Sequence, residues 1–297
     1  MAMHSRHEHH SHVHLDEADW EAFAATTERE GELLLAFVTQ TAGWIAELRG
    51  PDAPPVRRIL DIGSGPGVGT CELARLFRDA QVVAVDGSPA MLDRTTRRAA
   101  AQGLDRQVTT HLAELPGGLD GLERADVIWA SLSLHHIGDE VNALRALRDL
   151  LDPSGLLAVA EVAEPMRVLP ADLDLGRPGL ADRLDTAESD WFAAMRAGLP
   201  GSVPSSELPD MLGAAGFDVA GSRVARLRFD PPLADAARRV ALGRVQRARQ
   251  QLEGRLDDDD LGTLDVLGDA DDPRGIMHRD DVLVAASRQI VVARSST

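Results

Sequence analysis

The chain of 297 residues carries 31 basic and 48 acidic side chains, a formal charge of −17, and every basic residue in the printed sequence is Arg. It has no Lys and no Tyr. These absences exclude a pyridoxal Schiff base, a phosphate-loop lysine and a nicotinamide dehydrogenase built on a Tyr-x-x-x-Lys pair. The negative charge and the lack of an Arg cluster argue against a nucleic acid partner.

The apolar content of 44% is ordinary for a globular protein with a sizeable core. A single cysteine, Cys71, leaves no internal disulfide and no multi-cysteine metal site, and we expect no metal centre. No apolar run approaches the ~20 residues of a membrane span, and the N-terminus lacks the apolar core of a secretory signal. The prediction is a cytoplasmic protein without a membrane partner.

Residues 1–14 contain six of the ten histidines and almost no apolar side chains, which predicts a disordered tail. Transition-metal binding through the imidazoles is the alternative to a tail without a role. Apolar residues then recur at three- and four-residue intervals through residues 15–50, with breaks expected near Gly31 and Gly43. This segment is expected to be a helical cover that docks on a sheet; the alternative is a cover over an active site.

From Val56 onward, short apolar runs alternate with helical stretches, a pattern typical of a parallel sheet with helices on both faces. Ser88 and Pro89 supply a hydroxyl cap and a first-turn proline for one of these helices. The expected fold is α/β, with a Rossmann-like, seven-stranded, mostly parallel sheet whose last strand is antiparallel. Strands are predicted over residues 56–62, 81–85, 107–112, 126–130, 156–162, 217–229 and 282–293.

A glycine-rich turn, Gly63-Ser64-Gly65-Pro66-Gly67, follows the first strand and allows a ligand to approach the backbone closely. Val68 breaks the dinucleotide pattern G-x-G-x-x-G/A. Asp86 ends the second strand, 86 − 61 = 25 residues after Asp61, where a carboxylate can accept both hydroxyls of a ribose. The alternative role for Asp86 is a helix cap. Without a phosphate-binding Lys or a third glycine, the pattern favours a nucleoside ligand without pyrophosphate, and S-adenosylmethionine fits that description.

Four segments occur in a family's order and spacing: ILDIGSGPGVGT at 59–70, VVAVDGSPAML at 82–92, ADVIWASLSLHHIGD at 125–139 and LRDLLDPSGLLAVAEV at 147–162. Through them the chain resembles the class I S-adenosylmethionine-dependent methyltransferases, in particular the small-molecule branch that includes the ubiquinone/menaquinone C-methyltransferase-like proteins. The resemblance covers about residues 56–165. It implies O-, N- or C-methylation of a small organic acceptor, as in bacterial secondary metabolism, with S-adenosylhomocysteine as product.

The resemblance also implies which residues hold the cofactor. Asp61 would lie near its amino group, Asp86 at the ribose hydroxyls and Met91 near the adenine. His111 stands where the family often has Asp, so adenine recognition is left open between His111, Glu114 and the Leu112-Ala113 backbone. The complete cofactor-binding set is Asp61, Gly63, Ser64, Gly65, Gly67, Asp86, Gly87, Ser88, Met91, His111, Leu112, Ala113, Glu114, Ala130 and Ser131.

Two histidines, His135 and His136, follow the fourth strand and are the catalytic candidates, because an imidazole can act as a general base near neutral pH. The alternative is that the Leu-His-His stretch is a structural part of the cofactor loop. Glu161 and Glu164 are weaker candidates, expected to be caps or solvated acids.

The core predicted for residues 56–163 is followed by a Pro- and Gly-punctuated insertion over residues 164–206, expected to be neither a clean helix nor a strand. Ligand sites of open α/β sheets lie beyond the strand ends, so this insertion is expected to shape the acceptor pocket. Its candidate acceptor contacts are Trp191, Phe192 and Arg167, for which core packing or a surface position is the alternative.

Residues 207–230 and 282–296 are expected to complete the sheet, and residues 231–281 to form a helical insertion with alternating charges. A solvated helical pair, a homodimer contact and a second wall of the pocket are the alternatives for this insertion. A metal site at Asp257–Asp260 is not expected. Two rival functions stay open: methylation of a peptide or protein side chain, and cofactor binding by a regulatory protein without turnover.

Overall fold

The computed structural model describes residues 17–202 and 207–296, so the predicted His-rich tail over residues 1–14 lies outside the described residues. Seven strands form one sheet in the order β3-β2-β1-β4-β5-β7-β6. They are β1 (Arg58–Ile62), β2 (Gln81–Asp86), β3 (Val108–Leu112), β4 (Ala125–Ser131), β5 (Leu151–Val162), β6 (Phe217–Phe229) and β7 (Val284–Ser295). Only β7 runs against the others among the described strands, which confirms the predicted sheet.

Nine α-helices are described alongside this sheet. They are α1 (Glu17–Leu33), α2 (Ala36–Arg49), α3 (Val68–Leu76), α4 (Pro89–Ala101), α5 (Glu140–Asp149), α6 (Leu180–Ala197), α7 (Leu208–Ala214), α8 (Asp235–Gln251) and α9 (Asp258–Gly268). Short 3₁₀ turns cover Leu134–His136 and Ile276–His278. Each parallel crossover contains a helix or a long loop, as parallel strands require.

The register of the central strands brings their carboxyl ends to one edge. Ile62 of β1 pairs with Val85 of β2 and with Ala130 of β4, and Ala130 pairs in turn with Val159 of β5. The residues that follow these strands therefore meet at a single edge, which is where ligands bind in open α/β sheets.

The sheet is buried on both faces, because alternate residues of each strand enter two different hydrophobic clusters. On β1, Ile59 belongs to a cluster that includes apolar side chains of α2, α3, α6 and α8. Leu60 and Ile62 belong to a second cluster beneath α5 and α7. Burial on both faces explains why the central strands are nearly continuous apolar runs.

The start of α4 follows the predicted cap. The Ser88 hydroxyl accepts a hydrogen bond from the Met91 backbone N–H at 3.4 Å, and Pro89 occupies the first helical position. Proline is tolerated there because its missing N–H would have no helical partner. The cap orients the chain immediately after Asp86, so it also fixes that end of β2.

The predicted break points of the N-terminal helical segment were wrong. Gly31 lies inside α1 and Gly43 inside α2, and the chain breaks instead at Leu34–Leu35. A side chain at Gly31 would come within 3.3 Å of the Val68 Cβ atom. Close packing of α1 on the start of α3 therefore outweighs the roughly 1 kcal/mol by which glycine disfavours a helix interior.

The insertion after β5 was also predicted wrongly, since α6 is an 18-residue helix within it. Gly179 and Gly198 flank this helix as its caps, so the Pro and Gly residues of the segment mark helix ends. The start of β5 differs as well, because Leu151 pairs with Ala125 and the chain then bulges before Leu156 pairs with Val127. Within the described ranges, no helix has the length and apolar character needed to cross a membrane.

Candidate active site

The glycine loop between β1 and α3 passes close to the loop that follows β4. Gly63 has φ 67°, and a Cβ atom there would lie 2.3 Å from the Cβ atom of Ser133. Only glycine combines that backbone conformation with such a close approach. By contrast, a Cβ atom at Gly65 would have nothing within 4 Å, so the space above Gly65 is open. The loop is thus closed on the Ser133 side and open over Gly65.

Asp86 connects this loop to the end of β2. One carboxylate oxygen accepts the Gly65 backbone N–H at 2.8 Å, and the other accepts the Ser88 N–H at 2.8 Å. A carboxylate oxygen has two lone pairs, so each oxygen keeps one for a further donor. Asp86 therefore stabilises the glycine loop and can still accept two hydroxyl groups. Gly87, the intervening residue, faces the Ala113 carbonyl oxygen, 3.7 Å from its ideal Cβ position.

Asp61 lies beneath the loop and is 3% exposed. Its carboxylate accepts a hydrogen bond from the Thr70 hydroxyl at 2.6 Å. Burial raises the pKa of Asp61 from 3.8 to about 7, against the effect of the Thr70 hydrogen bond; the nearby charge of Asp86 raises it further. A cation arriving at the loop would favour the ionised form of this carboxyl group.

The tips of β1 and β4 present two buried hydroxyl groups without a hydrogen-bond partner among the described residues, those of Ser64 and Ser133. Between Ser131 and Ser133, Leu132 has φ 55°, a strained conformation for a branched side chain. Ala130, predicted to approach the cofactor, is fully buried and pairs with β1 and β5. Unpartnered buried hydroxyls beside a strained turn indicate a place that a polar ligand completes.

The residues considered for adenine recognition differ in how far they are already engaged. The His111 ring hydrogen-bonds the Gly118 carbonyl at 2.8 Å, and the Ala113 N–H donates to the Asp86 carbonyl at 3.1 Å. Leu112 is 56% exposed, whereas Met91 is 5% exposed. His111 therefore holds the following loop, and Glu114 in that loop is exposed.

The two catalytic candidates differ in their surroundings. His135 contacts Glu161 at the end of β5, with 2.6 Å between its Nδ1 atom and the Glu161 Oε2 atom. The other Glu161 oxygen accepts the Leu134 N–H at 3.0 Å. Both side chains are largely buried. The His136 ring lies 4.1 Å from the His135 ring, centroid to centroid. Thus His135 has a carboxylate partner that fixes its orientation.

Sequence reasoning gave Glu161 a lesser role, as a cap or a solvated acid. The signal available was its position at the carboxyl end of β5, the strand that pairs with β4 and so lies next to the histidines that follow β4. Neither charge nor spacing in the sequence distinguishes a Glu that orients a His from one that faces water. Only the sheet register brings the two residues together.

The three predicted acceptor contacts lie in different places. The Phe192 ring of α6 packs against His135, with 5.4 Å between ring centroids. Trp191 packs instead into a small cluster with Ala248 and Leu252, between α6 and the end of α8. Arg167 pairs with Asp182 at 2.9 Å and with Asp185 at 2.6 Å. Of the three, the structure brings Phe192 alone to His135.

Comparison with known proteins assigns this chain to a family. Residues 60–157 match the model of a methyltransferase domain. Trans-aconitate 2-methyltransferase of Methylobacterium radiotolerans is 31% identical over 249 residues, which cover 81% of this chain and 88% of that one. The chain belongs to the S-adenosylmethionine-dependent methyltransferases. The donor is therefore S-adenosylmethionine.

Another curated relative matches over a shorter length. Malonyl-[acyl-carrier protein] O-methyltransferase of Halorhodospira halophila is 35% identical over 47% of this chain, and the match spans 46% of that relative. A solved methyltransferase structure from Bacillus halodurans covers 89% of this chain and 99% of its own, with a TM-score of 0.53 and 15% identity. At that identity the likeness is one of fold.

The residues at the glycine loop of the methyltransferase fit the donor. Open space above Gly65, free lone pairs on Asp86 and the unpartnered hydroxyls of Ser64 and Ser133 match a ligand rich in hydroxyl and amino groups. The buried carboxyl of Asp61 matches its ammonium group. No phosphate-binding lysine is needed there, because the donor has no phosphate.

Proposed function

We propose that this methyltransferase transfers the methyl group of S-adenosylmethionine to a hydroxyl or amino group of a small organic acceptor, with His135 as the general base. The observation that carries the proposal is the 2.6 Å contact between His135 and Glu161. When bound, the donor supplies an electrophilic methyl group in line with its sulfur. The chain then has to place the accepting atom and take up the proton that this atom loses.

The contact fixes which nitrogen of His135 is basic. Glu161 is an acceptor, so the neutral imidazole directs its Nδ1–H toward the carboxylate and leaves the Nε2 lone pair free for a proton. Glu161 also stabilises the imidazolium that forms, and the Leu134 N–H holds Glu161 in place. The lone pair of the accepting atom forms the new bond to the methyl carbon while the bond between that carbon and sulfur breaks, which leaves S-adenosylhomocysteine as product. The proton of the accepting atom passes to Nε2 of His135.

The acceptor is proposed to lie between the end of β5 and α6, where Phe192 packs against His135. Residues 164–202 and the helices over residues 17–49 would exclude water from that space. The relatives' names include trans-aconitate and dimethylglycine, both small organic acids, and these head the panel of acceptors to be tested. The ubiquinone/menaquinone C-methyltransferase-like branch stays a prediction about the acceptor, to be tested in the same panel.

The test measures turnover with labelled donor. Wild-type protein is offered trans-aconitate, dimethylglycine and small-molecule extracts, and label transferred to acceptor is counted. If no acceptor or extract is labelled, the result favours the alternative that the protein binds the cofactor without turnover. If label appears in polypeptide, it favours methylation of a peptide or protein side chain. S-adenosylhomocysteine binding, measured by calorimetry, is followed in parallel.

With an acceptor in hand, His135→Gln is expected to lower kcat by about 10²–10⁴-fold while S-adenosylhomocysteine affinity stays unchanged, because the base acts only on the acceptor. Glu161→Gln keeps the Leu134 contact but loses the carboxylate, and should lower kcat less. His278→Gln is the matched control, since the His278 ring hydrogen-bonds the Ala270 carbonyl in the segment between α9 and β7. Unchanged kcat in His135→Gln would exclude the role of His135.

A further inference from the structure

Arg288 lies in the middle of β7 and is 5% exposed. Its guanidinium makes one hydrogen bond, to the carbonyl of the neighbouring Ser287 at 3.0 Å. Among the residues that the structure describes, no carboxylate lies within the 4.0 Å of an ion pair with it. Arginine is almost never fully buried unless it is paired, because removing its charge from water is costly. Arg288 therefore lacks the counter-charge that its position requires.

The carboxylates nearest to Arg288 are bound elsewhere. Burial lowers the pKa of Arg288, the nearby charges of Glu30 and Glu161 act in the opposite direction, and Arg244 lowers this pKa further. However, Glu30 pairs with Arg247 at 3.0 Å, and Glu161 binds His135 and the Leu134 N–H.

Arg244, the neighbouring cation, is itself bound to a carboxylate. It forms a close pair with Glu188 of α6. Every nearby carboxylate thus has its own partner, and the positive charge of Arg288 is not neutralised by a direct contact.

The position of Arg288 points to the acceptor side of the site. Its register partner is Val162 of β5, the residue that follows Glu161. The guanidinium lies over the Phe37 ring of α2, 5.4 Å from its centroid. Arg288 is therefore at the carboxyl edge of the sheet, beneath the N-terminal helices and one strand away from the carboxylate that holds His135.

The cofactor also has a carboxylate, but its loop is distant. In the sheet, β7 is separated from β1 by β4 and β5. Neighbouring strands lie about 4.8 Å apart, so β7 is roughly 14 Å from the strand that precedes the glycine loop. This spacing favours the acceptor as the source of the anion.

We propose that Arg288 binds a carboxylate group of the acceptor. The inference rests on the proposed function in that it specifies the same acceptor as a small organic acid. A guanidinium presents paired N–H donors that match the two oxygens of a carboxylate, and burial strengthens that contact because water does not compete. The bound carboxylate supplies the counter-charge that is missing from the chain, and it orients the acceptor with respect to His135.

The test measures binding without turnover. Protein saturated with S-adenosylhomocysteine is titrated calorimetrically with acetate, malonate and citrate, and with malonamide as an uncharged counterpart. Arg288→Met keeps the volume of the side chain and removes its charge. Arg226→Met is the matched control on β6, because Arg226 is exposed and pairs only with Glu164, at 3.5 Å. Folding of each variant is checked by denaturant unfolding and by S-adenosylhomocysteine affinity.

Wild type and Arg226→Met are expected to bind at least one carboxylate, and Arg288→Met to bind it about 10- to 100-fold more weakly, as for loss of a charge-assisted contact. Equal affinity in Arg288→Met, or no carboxylate binding by wild type, overturns the proposal. A loss of S-adenosylhomocysteine affinity in Arg288→Met would instead assign the residue to the cofactor and overturns it equally. Because no methyl transfer is needed, an inactive His135 variant tests the proposed function separately.

Discussion

The proposed cofactor side and the proposed acceptor side of this methyltransferase are built differently. On the cofactor side, Asp61, the glycine loop and Asp86 come from two adjacent strands within 26 residues of sequence, and backbone groups make most of the contacts. On the acceptor side, His135, Glu161, Phe192 and Arg288 come from four elements spread over half the chain. Local sequence therefore determines the first side, whereas the second exists only after the sheet has formed.

The largest effect is expected where the cofactor side depends on a single carboxylate. Asp86→Ala removes the proposed acceptor of two ribose hydroxyls, which also accepts the Gly65 N–H. Charge-assisted hydrogen bonds contribute about 1.5–3 kcal/mol each, so loss of two should lower S-adenosylhomocysteine affinity by about 10²–10⁴-fold. Calorimetric titration measures this change.

Asp93→Ala is the control for Asp86→Ala, because Asp93 is an exposed carboxylate on α4, the helix that follows Asp86. If S-adenosylhomocysteine affinity fell by less than about 3-fold in the Asp86 variant, backbone groups alone would hold the donor. The cofactor side would then depend even less on side chains than proposed.

Most of the fold could be predicted from sequence because its signals are local. The strands were placed within a few residues, and the Ser88-Pro89 cap begins α4 as predicted. The errors arose where tertiary packing overrides local preference. Gly31 stays helical because it packs against Val68, and the Pro and Gly residues around α6 conceal this helix because the glycines stand at its ends.

The candidate site divides in the same way. The spacing from Asp61 to Asp86 indicates a nucleoside site without any knowledge of the sheet. By contrast, the contact of His135 with Glu161 depends on which strand lies beside β4, and the isolation of Arg288 depends on which carboxylates pair with other arginines. A single sequence contains the residues but not those pairings.

An intermediate effect is expected from the buried carboxyl of Asp61. Its pKa is about 7 in the folded protein and near 3.8 when exposed, because burial disfavours the charge. Between these pH values the folded chain binds a proton that the unfolded chain has released. Stability should therefore fall as the pH rises from about 4 to 7, with no further loss from this group above 7, at about 1.4 kcal/mol per pKa unit as an upper bound.

Asp61→Asn tests this pH dependence. Asparagine can still accept the Thr70 hydrogen bond but has no charge to bury. As the pH rises from 5 to 8, the free energy of unfolding of the variant relative to that of wild type should increase by about 1–3 kcal/mol. The measurement is urea unfolding without cofactor. Asp93→Asn, with an exposed carboxyl, should show no such trend. A stability difference that is the same at both pH values would mean that Asp61 is ionised in the folded protein without cofactor.

The smallest effect is expected from Arg167, the arginine that sequence reasoning placed at the acceptor. Its guanidinium already has two carboxylate partners, Asp182 and Asp185, at the surface of α6. Exposed ion pairs contribute about 0–1 kcal/mol, so Arg167→Gln should change the free energy of unfolding by no more than that. Carboxylate affinity, in the titration used for Arg288, should change by less than about 2-fold. If Arg167→Gln weakened carboxylate binding as much as Arg288→Met, the exposed arginine beside α6 would also bind the acceptor. Burial of the arginine would then not determine which one binds the carboxylate.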